Sequence, residues 1–148
     1  MSGGISVTVA TSVDDELVAA FGRLVPQLSR SAAAPPPDLI REIVGAQANT
    51  VLLARDLRDQ GRIVGMLTLV VFRIPTGVRA WIEDVVVDED ARGRGVGEAL
   101  NLEAIRRALE LGARTVELTS RPSREAANRL YQRLGFVRRD SNLYRYTP

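Results

Sequence analysis

The sequence predicts an α/β fold: a mixed sheet, with antiparallel N-terminal strands and a central parallel pair, covered by about four helices. Two observations support this prediction. Apolar, β-branched stretches at 50–57 and 62–72 are joined by Arg58-Asp59-Gln60-Gly61, a turn composition typical of an antiparallel hairpin. Farther along, a strand at 78–88, a helix at 96–111 and a strand at 115–119 predict a parallel pair, because a helical crossover restores the chain direction.

The elements before this hairpin follow from local signals. Residues 5–11 alternate between apolar and polar, as a half-buried strand does, and Ser12 is a candidate N-cap for a helix over 13–28. Alanines and three prolines at 29–37 end that helix. A second, short helix is predicted to begin at Pro37 or Asp38 and to run to about residue 46.

The C-terminal elements are predicted in the same way. Two apolar lines along the helix at 96–111 indicate that it contacts neighbours on two sides, and Gly112 is placed to end it. Ser123 is a candidate cap for a last helix that Gly135 stops. The stretches 136–140 and 143–146 then predict a terminal hairpin.

Composition limits the possible functions. With 148 residues and 45% apolar content, we expect a single domain over 1–148 with one core. The chain has no cysteine and no histidine, which excludes disulfides and a cysteine nucleophile and removes the usual metal ligands, so no metal is expected. The net charge of +2 is weak support for nucleic-acid binding. The start lacks a leader pattern and no long apolar run follows, so we expect a cytoplasmic protein without a membrane span.

The most informative segment is the junction between the third long strand and the next helix. The strand ends in Val85, Val86 and Val87, and a polar loop leads into Arg92-Gly93-Arg94-Gly95-Val96-Gly97-Glu98. Three spaced glycines have no side chains to keep an anion away from the backbone, and the unpaired N–H groups at the start of a helix can donate hydrogen bonds to it. Two arginines add positive charge. The junction therefore predicts a phosphate-binding site.

Two common nucleotide motifs do not fit this spacing. A Walker loop requires a lysine after its last glycine, and the chain contains none. A dinucleotide fingerprint requires Gly-x-Gly-x-x-Gly, but the frames that begin at Gly93 and Gly95 end on Glu98 and Leu100.

The motif that remains is Arg-x-x-Gly-x-Gly at 92–97, followed about 35 residues later by Ala127-Asn128-Arg129-Leu130-Tyr131-Gln132-Arg133-Leu134-Gly135-Phe136. In this order the two motifs resemble those of the GCN5-related N-acetyltransferase (GNAT) family, over roughly residues 62–137. The resemblance implies that acetyl-CoA is the acyl donor and that its pyrophosphate is held at 92–98. It also implies that the two parallel strands splay apart, so that the pantetheine arm lies along Val85, Val86 and Val87. Asn128 is then a cofactor contact, and Tyr131 both contacts the cofactor and protonates the departing thiolate.

The absence of cysteine and histidine limits the mechanisms that are available. Without cysteine or histidine, a covalent acyl-enzyme is disfavoured, and direct transfer in a ternary complex is expected. Glu83 is the preferred base, because Ile82-Glu83-Asp84 is similar to family members in which that glutamate draws protons through water. The alternatives are Asp84, ordered water, or an amine that arrives neutral. Glu83 is expected to share a face with Val85 and Val87 unless a bulge shifts the register. The resemblance also implies that a backbone N–H near Val85, on the splayed strand, is the donor to the thioester oxygen.

The acceptor is predicted only as an amine, on a small molecule or on a peptide or protein. The regions expected to select it, 21–42 and 141–146, carry no motif; Arg23, Arg30 and Arg41 either bind an anionic group of the acceptor or form a solvated face. A non-catalytic acyl-CoA-binding sensor is the alternative function, and a nucleic-acid-binding protein is a weaker third. A homodimer is expected, with strands near Phe136 and Tyr144 added to a partner's sheet.

Overall fold

The computed structural model describes residues 3–148, and the expectation about the chain start rests partly on Met1 and Ser2, which lie outside them. Contacts group the chain into two compact units, one ending at Leu118 and the other comprising Thr119–Pro148. The described residues contain no helix that is both long and apolar enough to cross a bilayer.

The first unit carries the sheet. Its elements in chain order are β1 (Ile5–Val9), α1 (Asp15–Leu24), α2 (Pro37–Gly45), β2 (Asn49–Asp56), β3 (Arg62–Ile74), β4 (Gly77–Val87), α3 (Val96–Glu110) and β5 (Val116–Glu117). The strands lie in the order β1-β2-β3-β4-β5. The first three pairings are antiparallel, and β4 pairs with β5 in parallel. The predicted fold class, with its antiparallel strands and parallel pair, is confirmed.

The two faces of this sheet pack against different helices. On one face Gly65 lies directly beneath Val96 and Leu100 of α3, closely enough that a Cβ on Gly65 would come within 2.9 Å of the Val96 side chain. Met66, the next residue along β3, projects to the opposite face. There the core forms between the sheet, α1 and α2, with buried side chains Leu17, Ala20, Phe21, Leu24, Ile40, Val51, Leu53, Met66 and Val86.

Several predicted boundaries are wrong for local reasons. The N-cap of α1 is Asp14, whose Oδ1 accepts the Leu17 N–H at 2.9 Å, and not Ser12. The α-helix ends at Leu24, followed by a 3₁₀ turn over Val25–Gln27, because Pro26 cannot donate to the preceding turn. The fifth strand is two residues long, shorter than the predicted 115–119.

The second unit contains α4 (Glu125–Arg133). Its N-cap is Arg124 and makes no side-chain cap, so the predicted Ser123 cap is not formed. Gly135, with φ of +101°, ends the helix as predicted. Residues 136–148 form neither helix nor strand, so the terminal hairpin prediction is wrong for the described residues. Val137, Leu143, Tyr144 and Tyr146 of this segment are exposed, and an isolated hairpin without a buried face is marginal in water.

Candidate functional site

The segment from the end of β4 to the start of α3 is built by one carboxylate and two left-handed glycines. Asp88 caps a 3₁₀ turn over Glu89–Ala91, its Oδ1 accepting the Asp90 N–H at 3.3 Å. Gly93 and Gly95 both have φ of +78°, and Gly95 is the N-cap of α3. A side chain at either position would cost about 1–2 kcal/mol in this conformation. The turn therefore requires the glycine spacing seen in the sequence.

Residues 92–98, here called the anion loop, present consecutive free N–H groups from Gly93 to Glu98. The first hydrogen bond of α3 runs from the Ala99 N–H to the Gly95 carbonyl, at 3.0 Å. Across residues 3–148 no hydrogen bond is formed by the N–H groups from Gly93 to Glu98. These donors lie at the positive end of the helix dipole, which is the arrangement that binds phosphate groups.

The two arginines of the anion loop are not equivalent. The Arg94 guanidinium lies 2.9 Å from Oδ2 of Asp56, the buried last residue of β2. Arg92 is exposed, and its Nε donates only a long 3.4 Å hydrogen bond to the Val87 carbonyl. Arg92 therefore keeps most of its donors available, whereas Arg94 is paired with an acid.

Beside the anion loop, charged side chains form a row along one end of the sheet. Asp56 and Arg62 are register partners, and Arg62 lies 3.7 Å from the buried Asp88. Arg23 of α1 donates to the same carboxylate at 3.3 Å and also to the Ile63 carbonyl. Burial alone would raise the pKa of Asp88, but hydrogen bonds from the Asp90 N–H, Gln27 and Arg23 hold that pKa below its ordinary value.

This charge row changes the interpretation of the acceptor arginines. Arg23 is held by Asp88, and Arg41 pairs with Asp38 at 2.6 Å. Arg30 is exposed. Arg23 is therefore removed from the proposed acceptor site, because it already pairs with Asp88 at the end of the sheet.

The outer edge of β4 is largely unpaired within the first unit. Parallel pairing with β5 is limited to Ala80 and Trp81. From Ile82 to Val87 the strand has β3 on one side, and no strand of the first unit lies on the other. Such an edge offers backbone N–H and C=O groups to an extended ligand, as a further strand would use them.

A β-bulge interrupts β4 at the carboxylates. Glu83 pairs with Thr68 and Val86 pairs with Met66, so two residues of β4 lie opposite one residue of β3. Asp84, the first of these two, has φ of +50°, which is uncommon for a residue other than glycine. Backbone strain of this kind is characteristic of functional sites.

The bulge decides which side chains share a face. Glu83 and Val86 project to the face covered by α1 and α2, because their partners on β3 do. Val87 pairs with Gly65 and projects to the α3 face. The expected grouping of Glu83 with Val85 and Val87 is therefore wrong for Val87, and the bulge alternative applies. Partial burial and the adjacent Asp84 charge both raise the pKa of Glu83.

Asn128 and Tyr131 belong to the second unit, on one face of α4. Asn128 donates through Nδ2 to the Arg121 carbonyl at 3.0 Å, which ties the start of the helix to the preceding turn. Tyr131 is 8% exposed and packs edge-to-face on Phe136, with ring centroids 5.8 Å apart. Burial raises the pKa of the Tyr131 hydroxyl and the nearby Arg124 charge opposes this only partly, so the phenol stays protonated at neutral pH.

Two polar residues of the first unit were not predicted from the sequence. Asn101 is fully buried, donates to the Gly97 carbonyl at 2.8 Å and has no partner for Oδ1 among residues 3–148. A polar residue one turn after Gly97 on a packed helix was the available signal. Asp56 carried no local signal, because its partner Arg94 is distant in sequence. Residues 3–148 hold no cluster of acidic residues suited to a metal.

Comparison with known proteins gives a family and a fold. A model of the acetyltransferase (GNAT) family matches residues 13–136. Over 61 residues the chain is 43% identical to an uncharacterized N-acetyltransferase of Methanocaldococcus jannaschii, a match covering 41% of this chain and 27% of that protein. Over 87 residues it is 34% identical to the N-alpha-acetyltransferase MAK3 of Arabidopsis thaliana, covering 59% of this chain and 45% of that protein. The matched stretches thus span less than half of either relative.

Among solved structures, a putative acetyltransferase from Agrobacterium tumefaciens str. C58 superposes with a TM-score of 0.84 at 22% identity. The match covers 96% of this chain and 99% of that one. At this identity the likeness shows the fold.

Proposed function

The chain belongs to the acetyltransferase (GNAT) family, and from this we propose that it is an N-acetyltransferase using acetyl-CoA. The acetyl group passes directly to a primary amine in a ternary complex. The acceptor is an amine of a small molecule, a peptide or a protein.

The row of free N–H groups in the anion loop is the observation that carries this proposal. A pyrophosphate needs several donors within a short span, and the N–H groups from Gly93 to Glu98 supply them without any side chain. The glycines let the anion approach the backbone, and Arg92 adds a charge that is not paired with an acid.

The unpaired edge of β4 fits the remainder of the cosubstrate. The pantetheine arm carries amide groups, and Val85, Val86 and Val87 offer backbone donors and acceptors at strand spacing. A backbone N–H near Val85 is placed in this proposal as donor to the thioester oxygen in the transition state.

Proton transfer is assigned to Glu83 and Tyr131. Glu83, directly or through water, removes a proton from the ammonium, and its raised pKa moves it toward the range in which a base is efficient. The neutral amine forms the new C–N bond, its nitrogen gives up a second proton to water, and the C–S bond breaks. Tyr131 donates its proton to the departing thiolate, since its raised pKa means that the hydroxyl is protonated at neutral pH. Water afterwards returns a proton to the Tyr131 phenolate. Asn128 acts as a cofactor contact.

The proposal is tested by calorimetric titration of acetyl-CoA. We expect micromolar binding to the wild type and loss of binding in Gly95→Glu, which places bulk and a negative charge within the anion loop. Gly22→Glu is the matched control, because Gly22 has open space around it and lies on the exposed side of α1.

The outcomes separate the two candidate functions. Absence of wild-type binding would withdraw the acetyltransferase assignment. Binding with no thiol release across a broad panel of amines would favour the non-catalytic acyl-CoA-binding alternative instead.

A further inference from the structure

We infer that Asp56 is a positioning residue for the anion loop, acting through Arg94, and that Arg94 holds the loop in shape without contacting phosphate itself. The identity of the anion rests on the proposed function. The tether between the two side chains does not.

Asp56 is fixed to the sheet on every side. It is the last residue of β2 and is 4% exposed. Its Oδ1 accepts the Arg58 N–H at 3.0 Å, and its carbonyl accepts the Gly61 N–H at 2.9 Å. Oδ2 is left for Arg94 at 2.9 Å. The carboxylate is therefore a rigid anchor whose remaining oxygen has one partner.

Arg94 lies where the backbone of the anion loop has the greatest conformational freedom. It lies between Gly93 and Gly95, both in the left-handed conformation. Glycine has the largest backbone freedom of any residue, so a turn made by two of them does not hold its own shape. A side chain pinned between them restrains both, and keeps the free N–H groups aimed at one place.

The pairing is not readily exchanged for a phosphate contact. Withdrawal of Arg94 would leave the buried Asp56 charge without its cation, which is strongly unfavourable. Burial tends to raise the pKa of Asp56, yet the bonds from Arg58 and Arg94 hold that pKa below its ordinary value, so the carboxylate stays ionised. Arg92, which pairs with no acid among residues 3–148, is the better candidate for direct contact with the anion.

The first test uses the protein without ligand. Backbone ¹⁵N order parameters of the amides at 93–98 are compared in wild type, Asp56→Asn and Arg94→Gln, with Asp38→Asn as control because it removes an acid from an exposed Asp–Arg pair. We expect lower order parameters in the anion loop of both test variants, with α3 beyond Leu100 unchanged. Unchanged order parameters in the loop of Arg94→Gln would overturn the inference. This variant removes a side chain that is 36% exposed, so it is the safer of the two for folding.

The second test is a double-mutant cycle on acetyl-CoA affinity. If Arg94 acts only through Asp56, each single variant weakens binding by about tenfold and the double variant is no worse than either. If Arg94 contacts phosphate directly, Asp56→Asn leaves binding equal or tighter while Arg94→Gln weakens it, and the inference fails. Multiplying losses would overturn it as well.

The two tests also separate this inference from the proposed function. A wild type that does not bind acetyl-CoA refutes the proposed function, and the order parameters still decide whether Asp56 positions the loop.

Discussion

A methyl group added at Gly65 should disturb α3 from below, at the residues where the helix begins. Gly65 has an ordinary strand conformation, so alanine is allowed by the backbone. Its Cβ, however, would lie 2.9 Å from Val96 Cγ1, 3.1 Å from the Val86 carbonyl oxygen and 3.2 Å from Leu100 Cδ1. Val96 and Leu100 are 1% and 0% exposed, so neither side chain has free space to enter.

The size of the effect follows from two opposing contributions. Overpacking of a filled core costs about 1–3 kcal/mol. Restricting the unfolded chain by replacing glycine returns about 0.4–1 kcal/mol. The net loss of about 0–2.6 kcal/mol corresponds to a melting temperature lower by up to roughly 10 °C for a chain of this size.

Thermal unfolding of Gly65→Ala is therefore compared with Gly22→Ala. Gly22 lies within α1 with no heavy atom near its Cβ position, so the same chemical change there should raise stability by about 0.5–1 kcal/mol. Opposite signs are expected from the two variants, together with weaker acetyl-CoA binding in Gly65→Ala, since Val96 belongs to the anion loop. A Gly65→Ala protein that melts at or above the wild type would refute the packing argument.

Three further predictions concern proton transfer and charge. Turnover should rise with pH as Glu83 loses its proton. Asp84→Asn should move this limb of the pH–rate profile to lower pH, because it removes a like charge that raises the Glu83 pKa. If Glu83→Gln lowers turnover by less than about threefold at every pH, Glu83 is excluded as the base. Tyr131→Phe should lower kcat by about 100-fold or more in a thiol-release assay, and an unchanged kcat would exclude it as the acid. Because the pKa of Asp88 is lowered in the folded state, its contribution to stability is present above the unfolded value of about 3.9 and is lost as pH falls through the folded one. Asp88→Asn should accordingly melt lower at pH about 7 and lose less stability on acidification than the wild type, and parallel melting curves across pH would contradict this.

The secondary structure was predictable wherever one segment carried its own signal. The β2–β3 hairpin and the β4–α3–β5 crossover follow from apolar runs, turn residues and one crossover, all visible in sequence. Where the prediction failed, a neighbouring residue competed locally, as Asp14 did with Ser12 for the cap of α1. The predicted C-terminal hairpin had apolar residues in both of its stretches, but most of its large apolar side chains are exposed, so no buried face stabilises it.

The sequence by itself determined the turn of the anion loop, because the left-handed conformation at 93 and 95 favours glycine and glycine occupies both positions. It also determined the absence of cysteine and histidine, and with it the chemistry that is disfavoured. The tertiary structure alone decided the pairing of Arg94 with Asp56 and of Arg23 with Asp88, and the bulge that gives Glu83 and Val86 a common face. Those contacts join residues far apart in the chain, and their geometry depends on strand register and burial, which no local pattern of residues specifies.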